Sequence, residues 1–217
     1  RRFWFTAAPD TALPAGWDGA FLHDGWLTVR VDGPQQPVCP RGEVLLRGAH
    51  NLQNALAACA IAAAAGVDPP AMRRGIAGFG GAAHRLELVA EVGGARWYND
   101  SIATAPERAI AAIRSFDEPL VLLSGGRDKH LPWDEFASVV RGRVAHLVLF
   151  GEARELIAQA VKTGAAATDT LQSVAQVATL AEAVAQAARL ARASCVVAQA
   201  ARLARASCVV LLAPGGT

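Results

Sequence analysis

The chain has 217 residues, of which 53% are hydrophobic and 18% charged, and its net charge is +2. Such a composition can bury a substantial core, which excludes a disordered chain, and its near-neutral charge excludes a general nucleic-acid binder. The longest apolar stretch, residues 55–67, is mostly alanine and too short to cross a bilayer, and Arg1-Arg2 open the chain without an apolar leader behind them. With four cysteines and no CxxC spacing, a reduced, cytoplasmic monomer with no nucleic-acid or membrane partner is expected.

In chain order, residues 3–47 read as β structure in three runs, "RFWFTA", "AFLHDGWLTVRV" and "EVLLRG". Asp24-Gly25 lies between apolar flanks, and both residues tolerate the positive φ of a tight hairpin. An alanine-rich helix, "HNLQNALAACAIAAAAGV", should follow and end at Gly66, and a shorter one, "PAMRRGIAGF", opens on proline. The glycine-rich "GFGGAAHR" at 78–85 then reads as a hinge, which places the domain boundary between residues 1–81 and 82–217.

Beyond the hinge, strands and helices alternate. "ARWYND", "PLVLLSGG", "HLVLFG" and "CVVLLAPGG" are short apolar runs separated by the helices "APERAIAAIRSF", "PWDEFASVVRG", "ARELIAQAVKTG" and "TLAEAVAQAARLARA". Apolar runs of this kind, buried on both faces, imply an α/β fold of Rossmann-like type with a mainly parallel sheet. The last helix should begin near Leu180, because Thr179 and Glu182 form a capping box. The segment "AQAARLARASCVV" occurs at 185–197 and again, letter for letter, at 198–210. Structural repeats run longer and diverge, so the second copy is expected to be absorbed as a helix extension or a surface excursion with no function of its own.

Polar residues collect where chemistry would sit in such a fold. Asn51 and Asn54 share one face at a helix start; capping and solvation account for them as well as ligand binding does. His84-Arg85 follows the hinge, where the guanidinium fork suits either a phosphate or an interdomain ion pair. In "WYNDSIATAPERA", Asn99, Asp100, Ser101 and Thr104 crowd the carboxyl end of a strand, where α/β proteins bind ligands. Asp100 suits ribose hydroxyls. Thr104 and Glu107 form a second capping box, so Thr104 has a structural reading beside a ligand-binding one. Lys129, in "SGGRDKH", is one of only two lysines among 21 basic residues, and it suits a carboxylate or phosphate as well as open solvent.

In order and spacing, "GAHNLQNALAA", "HRLELV", "ARWYNDSIATAPE", "LLSGGRDK" and "LVLFG" resemble the Mur ligases, over nearly the whole chain. The "NDSxAT" and "GGxDK" motifs are most similar to the branch that adds D-glutamate to UDP-N-acetylmuramoyl-L-alanine in peptidoglycan synthesis. The resemblance implies that 1–81 is the end of a central ATPase domain, carrying its β-hairpin and helical tail, and 82–217 most of the C-terminal domain. It implies ATP and Mg²⁺ as cofactors and a reaction through an acyl phosphate that the D-glutamate amine attacks. Carried over, Asn51, Asn54, His84, Arg85 and Asp100 would bind the nucleotide, with Asn54 on adenine, Asp100 on ribose and Arg85 on phosphates. Ser101, Thr104 and Lys129 would bind substrate, with Thr104 and Lys129 on D-glutamate.

Two departures bear on activity. Ile102 stands where many relatives carry Lys. Neither Lys129 nor Lys162 sits in the Gly-Lys-Ser/Thr context of a phosphate-binding loop. The phosphate-binding loop, the metal ligands and the principal catalytic groups are therefore expected upstream of Arg1, and a Ser and a Phe used for D-glutamate beyond "APGGT". The chain alone is expected to be inactive. Competing readings are a different Mur ligase, a folylpolyglutamate synthase, or a non-catalytic nucleotide-binding module. A dinucleotide oxidoreductase is disfavoured, because no G-x-G-x-x-G follows the first strand of the second half.

Overall fold

The computed structural model describes residues 2–8, 13–127, 130–200 and 208–215, with the side chains of the last long helix described as far as Arg192. The chain divides into two units, Arg1–Gly81 and Ala82–Thr217.

The first unit is a four-stranded sheet with two helices. Strands β1 (Phe3–Thr6), β2 (Asp18–His23), β3 (Trp26–Arg30) and β4 (Gln35–Pro40) lie in chain order. β1 runs parallel to β2, and the other pairs are antiparallel. Asp24 and Gly25 join β2 to β3 with φ of 47° and 76°, the left-handed pair that a two-residue hairpin needs. Helix α1 (Ala49–Ala64) lays Leu52, Leu56, Cys59, Ala60 and Ala63 against Leu22, Leu27, Val29, Val38 and Cys39 of the sheet. Gly66 and Val67 donate back to Ala63 and Ala62, each at 3.0 Å, and so occupy carbonyls left open at the helix end. Helix α2 (Pro69–Ala77) starts with Pro69, and the Asp68 carboxylate caps it by accepting from the Ala71 amide at 2.7 Å.

One predicted strand is not there. "EVLLRG" starts at Glu43, the last residue of a 3₁₀ turn (Arg41–Glu43), and continues as irregular chain. The fourth strand is "QQPVCP", whose two prolines disguise it. They are tolerated because β4 is an edge strand.

The second unit is a six-stranded sheet in the order β5-β6-β10-β7-β8-β9. The strands are β5 (Glu87–Val92), β6 (Ala95–Asn99), β7 (Leu120–Gly126), β8 (His146–Gly151), β9 (Ser173–Gln176) and β10 (Cys208–Gly215). β5 is antiparallel to β6, and every other pair is parallel. The mainly parallel α/β fold expected from the sequence is therefore present. The edge strands β5 and β9 extend beyond the predicted alternation. One is largely exposed, and the other is a four-residue polar-apolar segment with no buried side chain.

Alternation along the central strands sorts their side chains to two faces. Leu120, Leu122, Leu147, Leu149, Val209 and Leu211 pack beneath α3 (Pro106–Ile113), α4 (Asp134–Arg143) and α5 (Arg154–Thr163). Val121, Leu123, Val148 and Val210 meet Ala183, Ala187 and Ala191 of α6 (Leu180–Ala200) on the other face. The predicted box at the α6 start is formed: Glu182 accepts from the Thr179 amide at 3.1 Å, and its own amide donates to the Thr179 hydroxyl at 3.2 Å. The first copy of the 13-residue repeat lies wholly within α6, which runs on through the first three residues of the second copy to Ala200. The end of the second copy, Cys208 to Val210, is the start of β10. Returning from α6, β10 enters between β6 and β7, which brings the carboxyl ends of three parallel strands together.

Candidate functional site

Residues 100–104 follow β6, whose last residue is Asn99, and backbone bonds fold them into a tight turn. The Asp100 amide donates to Leu212 O on β10 (2.9 Å), Ala103 N to Asp100 O (2.9 Å), and Thr104 N to Ile102 O (2.9 Å). The Asn99 side chain accepts from the Ser101 amide at 3.0 Å, a local turn that asparagine favours. Helix α3 begins only at Pro106, with Ala105 at its N-cap and no side-chain cap. Thr104 is therefore not the cap that its spacing from Glu107 suggested. It stands half-buried in the turn, as does Ser101, while Ile102 is 47% exposed.

Asp100 is buried, at 5% exposure. Desolvation pushes its carboxyl up to about 6, against the opposing pull of the Leu86 amide and of the Arg85 and Arg108 charges. The Leu86 amide donates to Asp100 Oδ1 at 3.0 Å. Residues 84–86 thus run alongside the turn. Ile102 N donates to His84 O (3.2 Å), and the Asn99 amide nitrogen lies 2.9 Å from His84 Nδ1. His84 has φ of 64°, and its own amide is held by the Glu87 carboxylate at 2.7 Å. The structure therefore brings His84, Arg85, Asp100, Ser101 and Thr104 together at one strand end. Asn99, Glu87 and Arg108 join them. Of these, Asn99 was legible in the polar cluster at the strand's carboxyl end, whereas Arg108, in the first turn of α3, and Glu87, on β5, carry no local signal.

Chemically, the cluster offers a buried acceptor flanked by two guanidinium charges and a short polar turn. These features suit hydroxyls and an anion. Lys129 lies outside the described residues. Among the described residues, no group of three His, Cys, Asp or Glu side chains could hold a metal ion.

Asn51 and Asn54 belong to the first unit. Gly48 is the N-cap of α1, and Asn51, buried in the first turn, donates to Arg47 O at 2.7 Å. Capping by Asn51 itself is thus ruled out. Asn54 is exposed, donates to Asn51 Oδ1 at 3.3 Å, and borders a cavity of about 390 Å³. Leu45, Cys59, Met72, Ile76 and Phe79 contribute to its apolar walls. Burial raises the Cys59 thiol to about 11, so it stays protonated and is a poor nucleophile at neutral pH. Among the described residues, no helix is long and apolar enough to cross a membrane.

The family described as Mur ligase, glutamate ligase domain, matches residues 84–215. Among similar sequences, the UDP-N-acetylmuramoylalanine--D-glutamate ligase of Roseiflexus sp. (strain RS-1) is 48% identical over 147 residues, which is 67% of this chain and 32% of that protein. The protein of the same name from Pelotomaculum thermopropionicum is 42% identical over 145 residues, 67% of this chain and 32% of that protein. The chain thus spans about a third of the length of the relatives it matches. Among solved structures, Mycobacterium tuberculosis folylpolyglutamate synthase, complexed with ADP and AMPPCP, aligns with a TM-score of 0.58 at 23% identity, over 91% of this chain and 44% of that one. MurF from Acinetobacter baumannii aligns with a TM-score of 0.57 at 21% identity, over 91% and 42%. At those identities the structural likeness speaks to fold alone. The sequence match covers more than half of the chain, and by it the chain belongs to the Mur ligase family, through that family's glutamate ligase domain.

Proposed function

We propose that the chain is the glutamate-handling part of an ATP-dependent ligase that joins D-glutamate to UDP-N-acetylmuramoyl-L-alanine in peptidoglycan synthesis. The observation that carries this reading is the 48% identity, over 147 residues, with a protein bearing that ligase's name. The geometry at the end of β6 supports the division of labour. Buried Asp100 accepts hydrogen bonds and suits ribose hydroxyls. Exposed Arg85 beside it suits phosphate, and His84 and Asn99 hold the backbone that carries Arg85. Ser101 and Thr104, half-buried in the same turn, suit the amino-acid substrate, and the Lys129 ammonium would pair with its carboxylate. In the first unit, Asn54 at the rim of an apolar cavity suits a heteroaromatic base such as adenine, and Asn51 holds Asn54 in place.

ATP supplies the phosphoryl group that turns a carboxylate, a poor electrophile, into an acyl phosphate. These residues contribute orientation of the nucleotide and of the incoming amine, so that the bond-forming step is effectively unimolecular. Among the described residues no three His, Cys, Asp or Glu side chains gather into a metal cage; Mg²⁺ at a nucleotide site takes one or two carboxylates together with the phosphates, and no step is assigned to it through these residues. Catalysis requires the phosphate-binding loop that the chain's two lysines do not provide. A reaction of ATP with a UDP-linked precursor belongs in the cytoplasm. A glutamate-adding ligase of the folylpolyglutamate type is the second reading, favoured only by the fold likeness.

The test is a pair of substitutions in the full-length protein that contains this chain. Asp100→Ala is expected to raise the KM for ATP about tenfold and that for D-glutamate much less. Lys129→Ala should do the reverse. Equal effects of both on both substrates would overturn the separate roles.

A further inference from the structure

The end of β10 does not continue the regular ladder. Leu212 pairs with Leu123 of β7, but the next pair is Gly215 with Gly125. Two β10 residues, Ala213 and Pro214, therefore stand opposite Ser124 alone, which makes a β-bulge. A bulge leaves a backbone group without its ladder partner, and a buried one must find another. Here the Ser124 hydroxyl, fully buried, donates to Pro214 O at 2.9 Å.

The bulge is also backed by an aromatic ring. Trp133, 5% exposed at the start of α4, lies so close that a Cβ on Gly215 would come within 3.2 Å of its Cη2 and Cζ3 atoms. Gly215 has φ of 70°, and in that conformation its amide points to the neighbouring turn. It donates to Ala103 O at 2.8 Å, one residue before Thr104. Ser124 and Trp133 thus fix Pro214 and Gly215, and Gly215 in turn fixes the distal half of the 99–104 turn. The proximal half has anchors of its own: Asp100 is tied by its amide to Leu212 and by its carboxylate to Leu86.

We propose that Ser124 and Trp133 are positioning residues that act through the β10 bulge to set Thr104 for the incoming amino acid, leaving the nucleotide contact of Asp100 to its own anchors. This rests on the substrate role given to Thr104 above. Neither side chain touches substrate, and the asymmetry between the two halves of the turn is what the proposal adds.

The test uses Ser124→Ala and Trp133→Phe in the full-length protein, each read by amide hydrogen exchange and by steady-state kinetics. Ser124→Ala removes only the hydroxyl. Trp133→Phe keeps an aromatic ring against Phe136 but withdraws the edge that touches Gly215. The expected result is faster exchange in the peptides covering 101–105 and 211–216, a KM for D-glutamate raised at least fivefold, and a KM for ATP within twofold of the parent. A general loosening of the fold would move both constants together. That outcome overturns the proposal, as does unchanged exchange in both peptides. Absence of D-glutamate-dependent turnover in the unsubstituted protein would instead remove the functional reading, and exchange at 101–105 would still decide whether the bulge holds the turn.

Discussion

Asp100 shows how one carboxylate couples the site to stability. Burial raises its carboxyl to about 6 from an ordinary value of 3.8. A carboxyl raised on folding favours the protonated form in the native state. Its contribution to stability is full below about pH 4 and is lost as pH rises through about 6. At pH 7.5 the buried charge weighs against the fold. Asp100→Asn keeps an oxygen for the Leu86 amide and removes the charge, so it is expected to stabilise the second unit at pH 7.5 by about 1–3 kcal/mol and to change little at pH 4. Denaturant titrations at the two pH values check this. An equal effect at both, or destabilisation at pH 7.5, would contradict it. The strand-end position of Asp100 was legible because the aromatic pair Trp97-Tyr98 is followed at once by two polar residues, Asn99 and Asp100. The role of Thr104 at the helix start was not legible. The chain makes a turn of its own between Asp100 and Thr104 before α3 begins, which a capping-box spacing cannot reveal.

At the scale of elements, the duplicated segment separates local propensity from context. The triplet Cys-Val-Val is helical at 195–197 and strand at 208–210. The β-branched pair favours a strand, and at 208–210 it obtains one because both neighbours, β6 and β7, offer a ladder. At 195–197 it continues a helix already nucleated at Thr179 and packed through Ala183, Ala187 and Ala191. That packed face already meets the sheet within the first twelve residues of α6. Deleting one 13-residue copy is therefore expected to leave the parallel sheet intact and the thermal midpoint unchanged or higher. A large fall in midpoint would show that the extra copy is structural. The opposite sensitivity is expected at Gly125, where a Cβ would lie 1.9 Å from Phe150 O of the adjacent strand. Gly125→Ala should force β7 and β8 apart and cost about 3 kcal/mol or more, measured by denaturant unfolding. The central strands were legible from their continuous apolar runs. β4 was not, because its prolines argue against any strand except one at an edge, and edge position is a property of the assembled sheet.

At the scale of the whole molecule, the chain carries two units with separate cores and about a third of the length of its relatives. The alternation of strands and helices fixed the class of the second unit, and the ordered motifs pointed to the family. What a single sequence could not convey was the grouping across the turn: Leu86 meets Asp100, and Glu87 meets Asn99, only once β5 has folded back on β6, while the Arg108 charge reaches Asp100 from α3. If this site serves D-glutamate ligation, phosphate release must depend on that amino acid. That dependence is tested most directly by phosphate release from ATP in the full-length protein, supplied with UDP-N-acetylmuramoyl-L-alanine and with D-glutamate, L-glutamate or meso-diaminopimelate in turn. The expected release depends on D-glutamate and is lower by at least a factor of ten with the other two. Equal release with L-glutamate or with meso-diaminopimelate would rule that role out.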